Sequence, residues 1–333
     1  MTPRRALITG ISGQDGSYLA ERLLDNDYEV FGIVRRGPSD HYENLEGVRG
    51  RVTLVQADLL DQLSFIDALK TYEPHEVYNL ASVSFVPTSW RQPALTAEFA
   101  AVGVTTQLES IRLVSPEIRF YQASSSEIFG EPRESPQTEE TPLSPLTPYG
   151  VAKAYGHFIT RSYRVRHGLH ASSGILYNHE SPRRPLDFVT RKITHAAAAI
   201  KLGQQEELWL GDIDSRRDWG YAPEYVKAMW LMLQQEEPDD YVIASGVTHS
   251  VRELAAAAFE HVGLDWSAYV QVDASLQRGK AELHNLTGDA SKARERLGWE
   301  PTVGFDELVQ MMVDADVARL EDQRAPYPPS GAT

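Results

Sequence analysis

An α/β fold, built on a doubly wound parallel sheet with a smaller mixed α/β domain beside it, is what this sequence predicts. Three observations predict it. Short apolar runs recur through the first half of the chain and alternate with helical patterns, the rhythm of parallel strands joined by crossover helices. Gly10, Gly13 and Gly16 stand between the first run and an amphipathic helix. The length of 333 residues, 42% of them hydrophobic, suits one large or two modest domains with a real core.

Residues 5–9 are the first apolar run and read as a strand. Gly10-Ile11-Ser12-Gly13-Gln14-Asp15-Gly16 follows, and a helix runs on to about residue 26. Strand, glycine-rich turn and helix in that order form the Rossmann-type context for a dinucleotide. Glycines let the backbone approach a pyrophosphate, and the helix N-terminus faces its charge. The spacing is GxxGxxG rather than GxGxxG, and an ordinary tight loop is the alternative reading. Residues 28–34 are the second strand. An acidic residue at its end would bind the adenosine ribose hydroxyls. Arg35 and Arg36 stand there instead. Two guanidiniums suit a 2′-phosphate, which favours NADP, although both could be solvated surface arginines.

Residues 52–56 are the third strand. Asp58 follows, placed either to accept from an adenine amino group or to cap the next helix. Residues 76–80 are the fourth strand. It runs into Ala81-Ser82-Val83-Ser84, small residues that let the backbone pass close to a cofactor. A long helical pattern covers 93–113, and residues 118–122 are the fifth strand. Just past it lies Ala123-Ser124-Ser125-Ser126-Glu127. Ligands of open α/β sheets bind at the carboxyl ends of strands, where a hydroxyl and a carboxylate are placed for proton transfer. A serine-rich turn with a solvated Glu is the competing reading. Pro132, Pro136, Pro142, Pro145 and Pro148 make residues 131–148 a helix-free loop that delivers Tyr149 to the start of a helix.

Tyr149 and Lys153, four residues apart, share one face of that helix. Ionising a free Tyr at neutral pH costs roughly 4 kcal/mol. A cation one turn away lowers that cost, so the pair can act as a general base toward an alcohol. By itself the spacing fits a packed Tyr and a solvated Lys equally well. The glycine turn and the Ser125/Glu127 segment weigh for chemistry.

A strand at 171–176 leads into Tyr177–Arg184 at the domain junction. A helix of 188–202 follows, opening with Val189, Arg191 and Lys192, and then the stretch 214–219 with Arg217. Bidentate arginines suit a diphosphate, and salt bridging on helix surfaces accounts for some of them. Helices are expected at 223–235, 251–262, 290–297 and 305–320, and a strand at 241–244. Residues 1–180 thus form the dinucleotide domain, rejoined by part of 213–250. Residues 181–325 form the second domain, and 326–333 a disordered tail.

Composition narrows the function. With no cysteine, disulfides, thiolate metal sites and cysteine nucleophiles are excluded together, which fits a reducing cytoplasm. His167 and His170 have no carboxylate partner in sequence, so no metal site is expected. A formal charge of -15 disfavours general binding to nucleic acid or anionic membranes. There is no membrane-length apolar run, and the N-terminal residues lead directly into a strand, so no signal peptide is expected.

The stretches ALITGISGQDGSYLAERLL, FYQASSSEIFGE, SPLTPYGVAKAYGHFIT, ILYNHESPRR, FVTRKIT and LGDIDSRRDWGYAPEYVKAMWLMLQQ occur together here. On them the sequence resembles the extended short-chain dehydrogenases/reductases that act on nucleotide sugars. Within these it is most similar to the GDP-mannose 4,6-dehydratases, over residues 4–320. The resemblance implies a hydro-lyase using NADP on GDP-mannose, in a homodimer or homotetramer. Its catalytic Thr-x-Glu falls on Ser125 and Glu127, and its Tyr and Lys on Tyr149 and Lys153. Its cofactor loop falls on Gly10, Gly13, Gln14, Asp15 and Gly16. Further cofactor contacts fall on Asp58, Leu59, Leu80, Ala81, Ser84, His179 and Arg184. Nucleotide-sugar contacts fall on Ser84, Asn178, Val189, Lys192 and Arg217. Three positions depart from the family. Ser125 replaces Thr and keeps the hydroxyl. Val83 replaces Gln. An RPxE motif for the diphosphate and ribose reads Arg278-Gly-Lys-Ala-Glu282, one residue longer and without its proline.

The rival functions are a reductase or epimerase of the same superfamily, a dehydratase of another nucleotide sugar, and a cofactor-sensing scaffold. Glu127 weighs against the reductase and the epimerase. Ser125, Glu127, Tyr149 and Lys153 together weigh against the scaffold.

Overall fold

The computed structural model describes residues 3–35, 42–276 and 286–322. The first half begins with β1 (Arg5–Thr9), α1 (Gln14–Asp25), β2 (Glu29–Val34), β3 (Val52–Gln56), α2 (Gln62–Tyr72) and β4 (Glu76–Asn79). It continues through α3 (Val86–Arg91), α4 (Pro93–Ala97), α5 (Gly103–Val114), β5 (Arg119–Ala123), α6 (Pro148–His167) and β6 (Ala171–Leu176). Then come β7 (Asn178–Glu180), α7 (Val189–Lys201), β8 (Leu208–Leu210), β9 (Arg216–Tyr221), α8 (Ala222–Gln234) and β10 (Asp240–Ile243). The last elements are β11 (Thr248–Ser250), α9 (Val251–His261), β12 (Val270–Val272), α10 (Ser291–Leu297) and α11 (Phe305–Asp322).

The main sheet has the order β10-β6-β5-β4-β1-β2-β3, all parallel. Both faces are covered, which is why its strands read as nearly continuous apolar runs. On one face α1 and α8 pack Leu19, Leu23, Tyr225 and Met229 into the core. On the other, α2 and α5 contribute Phe65, Leu69, Val104 and Leu108. Chain order reverses between β1 and β4, so a crevice opens beyond their carboxyl ends. A separate core joins α7, α9 and α11 through Ile193, Leu254, Phe259 and Val313. Beside it lie two small sheets, β11-β9-β7 and β12-β8. Among the described residues, no helix is long and apolar enough to cross a membrane.

The structure corrects one expectation and removes one of two alternative readings. The helix expected over 93–113 is broken: between α4 and α5 the segment Glu98–Val102 winds as a π-helix. The wider turn lays Ala100 and Ala101 on Ala152 of α6 and brings Phe99 to the crevice. Asp58 does not cap α2. Asp61 does, its carboxylate accepting from Leu63 N at 3.1 Å, while Asp58 Oδ1 accepts from Leu60 N at 3.0 Å. Arg36, Arg278, Glu282 and the tail 326–333 lie outside the described residues.

Candidate active site

The glycine-rich turn is shaped by steric necessity. Gly10 has φ +73°, and a Cβ there would lie 2.9 Å from Ala81 N. A Cβ on Gly16 would lie 2.2 Å from Gly10 O. Thr9 Oγ1 accepts from Leu80 N and Ala81 N at 3.1 and 3.2 Å, which draws the end of β4 against the turn. Gly13 caps α1 without a side chain, so the first amides of the helix face the crevice uncapped. A cradle of bare backbone at a helix N-terminus fits the diphosphate of a dinucleotide. Arg35 follows β2, its guanidinium 5.5 Å from the ring centre of Phe99. Leu59 lines the cleft, whereas Asp58 is exposed beside it.

Tyr149 is delivered by the start of α6. Thr147 caps the helix, accepting from Gly150 N at 3.0 Å, and Pro148 occupies the first turn. Gly150 is required because a Cβ would lie 2.5 Å from Glu127 O. This contact brings the two candidate segments, Ser125–Glu127 and the start of α6, together. Ser125 Oγ accepts from Glu127 N at 3.3 Å and shares a hydrogen bond with the Tyr149 phenol. Lys153 is buried, and its Nζ donates to Ala123 O at 2.9 Å. That nitrogen lies 5.6 Å from the centre of the Tyr149 ring.

The electrostatics correct the expectation that Lys153 depresses Tyr149. Burial is the largest influence, and it holds the phenol well above its ordinary pKa. The Ser125 hydrogen bond pulls it down, and Glu127 pushes it further up. Burial also brings the Lys153 ammonium down to about 8, against the upward pull of Asp15. The same physics acts on both groups: each charged form has lost water.

Opposite the glycine turn runs the segment Tyr177–Arg184. His179 Nε2 lies 2.8 Å from Asp15 Oδ2, and Gln14 Nε2 donates to His179 O at 3.1 Å. Arg184 Nε lies 3.1 Å from Glu180 Oε2, and its guanidinium sits 3.6 Å over the Phe188 ring. Phe188 meets Phe85 edge-on across the cleft, ring centres 5.4 Å apart. Sequence reasoning missed Phe85, Phe99, Phe188 and Glu180. Three of them adjoin predicted residues, Ser84, Val189 and His179, so adjacency was the available signal.

One cleft of about 710 Å³ collects these groups with Ser84, Asn178, Val189, Lys192 and Arg217. Lys192 Nζ donates to Trp209 O at 2.6 Å, and burial lowers its pKa. Arg217 reaches Ser215 Oγ at 3.2 Å. Asp218 beside it is buried and accepts from Ser245 N, Gly246 N and Gly288 N, which holds β9 against two loops. Other basic residues of this region are structural. Arg191 forms a buried pair with Asp316, and Arg183 meets Glu21 at 2.5 Å.

A family model described as GDP-mannose 4,6 dehydratase matches residues 7–312. GDP-mannose 4,6 dehydratase 1 of Arabidopsis thaliana is 48% identical over 328 residues, 95% of this chain and 90% of that one. The Homo sapiens GDP-mannose 4,6 dehydratase is 44% identical over 339 residues, 94% of this chain and 91% of the other. Among solved structures, Thermus thermophilus UDP-glucose 4-epimerase, in complex with NAD, superposes with a TM-score of 0.82 at 26% identity. That comparison covers 94% of this chain and 98% of the epimerase.

Proposed function

This chain belongs to the GDP-mannose 4,6-dehydratase family, and we propose that its cleft removes water from GDP-mannose to give GDP-4-keto-6-deoxymannose. One observation carries the assignment of roles: Tyr149, Ser125 and Glu127 converge past the end of β5, with Lys153 beneath them and a diphosphate-shaped turn alongside.

The C5 proton of a hexose becomes acidic only when C4 is a ketone, so oxidation comes first. When bound, the nicotinamide cofactor supplies a hydride acceptor for C4 and a hydride donor for C6. Tyr149 Oη takes the O4 proton as a phenolate, an ionisation that the positive nicotinamide charge would support together with Lys153 against the burial that holds the phenol neutral. Ser125 Oγ hydrogen-bonds the developing carbonyl oxygen. Glu127 takes the C5 proton and passes a proton to the departing C6 hydroxyl, which leaves as water. The proton held on Tyr149 then goes to C5. The substrate loses one proton and one hydroxide in all, and the redox balance is zero.

Arg35 at the end of β2 supports NADP rather than NAD. We assign Ser84, Asn178, Val189, Lys192 and Arg217 to the nucleotide sugar. Residues 1–180, with returns from 213–250, are read as the cofactor domain, and 181–325 as the nucleotide-sugar domain. Val151, Tyr155 and Phe158 on α6 are exposed, as are Trp90 on α3 and Val102 in the π-helical turn, two segments that pack against α6; such apolar groups suit a second copy and support a homodimer or homotetramer. The cysteine-free composition fits work in the reducing cytoplasm.

The test is incubation of the purified protein with GDP-mannose and other nucleotide sugars, with products identified by mass. Loss of one water without added reductant is expected. Stoichiometric NADPH consumption would instead make it a reductase.

A further inference from the structure

His179 sits where the glycine-rich turn meets the segment that carries Asn178 and Arg184. Its Nδ1 lies 2.7 Å from Tyr177 O and its Nε2 2.8 Å from Asp15 Oδ2. A carbonyl oxygen can only accept, and so can an ionised carboxylate. Both ring nitrogens therefore carry protons, and the ring is an imidazolium. It is stacked on Tyr225, ring centres 4.7 Å apart, and is 8% exposed. The surrounding bonds fix both partners. Gln14 Nε2 donates to Asp15 Oδ1 at 3.0 Å, and Ser181 Oγ donates to Gln14 Oε1 at 2.8 Å.

We propose that His179 is the counter-ion of Asp15, a positioning residue whose charge makes the glycine-rich turn acceptable to a cofactor diphosphate. Asp15 is the second residue of α1, inside the turn that fits that group. Uncompensated, its carboxylate would repel an anionic ligand from the same helix N-terminus. The imidazolium cancels that charge at hydrogen-bond distance. Other charges face the pair. Arg184 acts on both members, but its guanidinium is paired with Glu180 at 3.1 Å. Lys153, Tyr149 and Tyr121 also feel Asp15. The direction of the shifts agrees with a charged pair. Burial opposes both charges, yet Asp15 is held below its ordinary pKa and His179 above. The proposal rests on the dinucleotide reading of the turn.

The experiment is NADP+ binding by calorimetry near neutral pH, for the wild type, His179→Asn, Asp15→Asn and the double variant, with circular dichroism as the control for folding. Asn at position 15 keeps the shape of Asp and removes the charge; its oxygen can still accept from Gln14 Nε2, while an amide donor replaces the oxygen that faces His179. His179→Asn is expected to weaken binding at least about tenfold, and Asp15→Asn in the same chain to restore it to within about threefold. Equal weakness of His179→Asn and the double variant would overturn the proposal, because it would make His179 a direct contact. Failure of the wild type to bind NADP+ or NAD+ would sink the dinucleotide reading itself. The wild type also gives a test free of variants. In a pH titration followed with 15N-labelled histidine, one imidazolium should persist to higher pH than the other histidines. If His179 loses its proton together with or before the exposed histidines, the counter-ion role is excluded.

Discussion

Replacing Lys153 by methionine should make the protein slightly more stable and nearly inactive. Lys153 is 4% exposed, and burial brings its ammonium from 10.5 to about 8. That drop corresponds to about 3 kcal/mol against the charged form in the folded chain. Below about pH 8 folded and unfolded chains both carry the proton, so the penalty is fully present. As pH rises from about 8 toward 10.5 the folded chain sheds its proton first, and stability is gained. Methionine removes the penalty at neutral pH and fills a similar volume. It also loses the charged hydrogen bond to Ala123 O, worth about 2 kcal/mol. Ala123 O keeps Gln122 Nε2 as a donor, so no buried carbonyl is stranded. The net gain is about 1 kcal/mol near neutral pH, or about 1 to 2 °C in Tm for a chain of this length. Calorimetry should show that gain near neutral pH and its loss or reversal at about pH 10. Turnover of GDP-mannose should fall at least about a hundredfold. A variant that melts below the wild type near neutral pH, or that keeps full activity, would refute the reasoning.

Glu127→Gln should lower kcat by about a thousandfold while the dissociation constant for GDP-mannose stays within about threefold, measured by product formation and calorimetry. Gly16→Ala forces a methyl against Gly10 O and should weaken NADP+ binding at least about tenfold, read by the same titration, with a fall in Tm. Arg35→Ala should weaken NADP+ at least about tenfold and leave NAD+ nearly unchanged. Equal losses for both cofactors would reassign Arg35 to general electrostatics.

The large sheet was legible because strands buried on both faces leave continuous apolar runs. Residues 5–9 and 171–176, buried along nearly their whole length, coincide with β1 and β6; residues 52–56 coincide with β3, which lies at the sheet edge with Thr53, Leu54 and Gln56 exposed. The short strands β7, β9 and β11 were not legible. Asn178–Glu180, Arg216–Tyr221 and Thr248–Ser250 are polar, and long-range bonds such as those of Asp218 hold them in place. The π turn at Glu98–Val102 carries no Gly or Pro to mark it. Within the site, Tyr149 and Lys153 could be paired because helical spacing is local. Asp15 and His179 are 164 residues apart, so each was named but their contact was not. The phenol of Tyr149 was misjudged for the same reason, since burial is a property of the folded chain. Among the described residues, cofactor-side positions such as Gly16 and Leu80 do line the cleft.

The most direct test of the account follows one hydrogen. GDP-mannose carrying deuterium at C4 is converted by the enzyme, and the product is analysed by mass spectrometry and NMR. If the oxidation at C4 supplies the hydride that closes the reaction, the deuterium appears in the C6 methyl group of the same sugar. If the deuterium is lost to solvent or remains at C4, water is removed by another route, and Tyr149, Ser125 and Glu127 do not have the roles given to them.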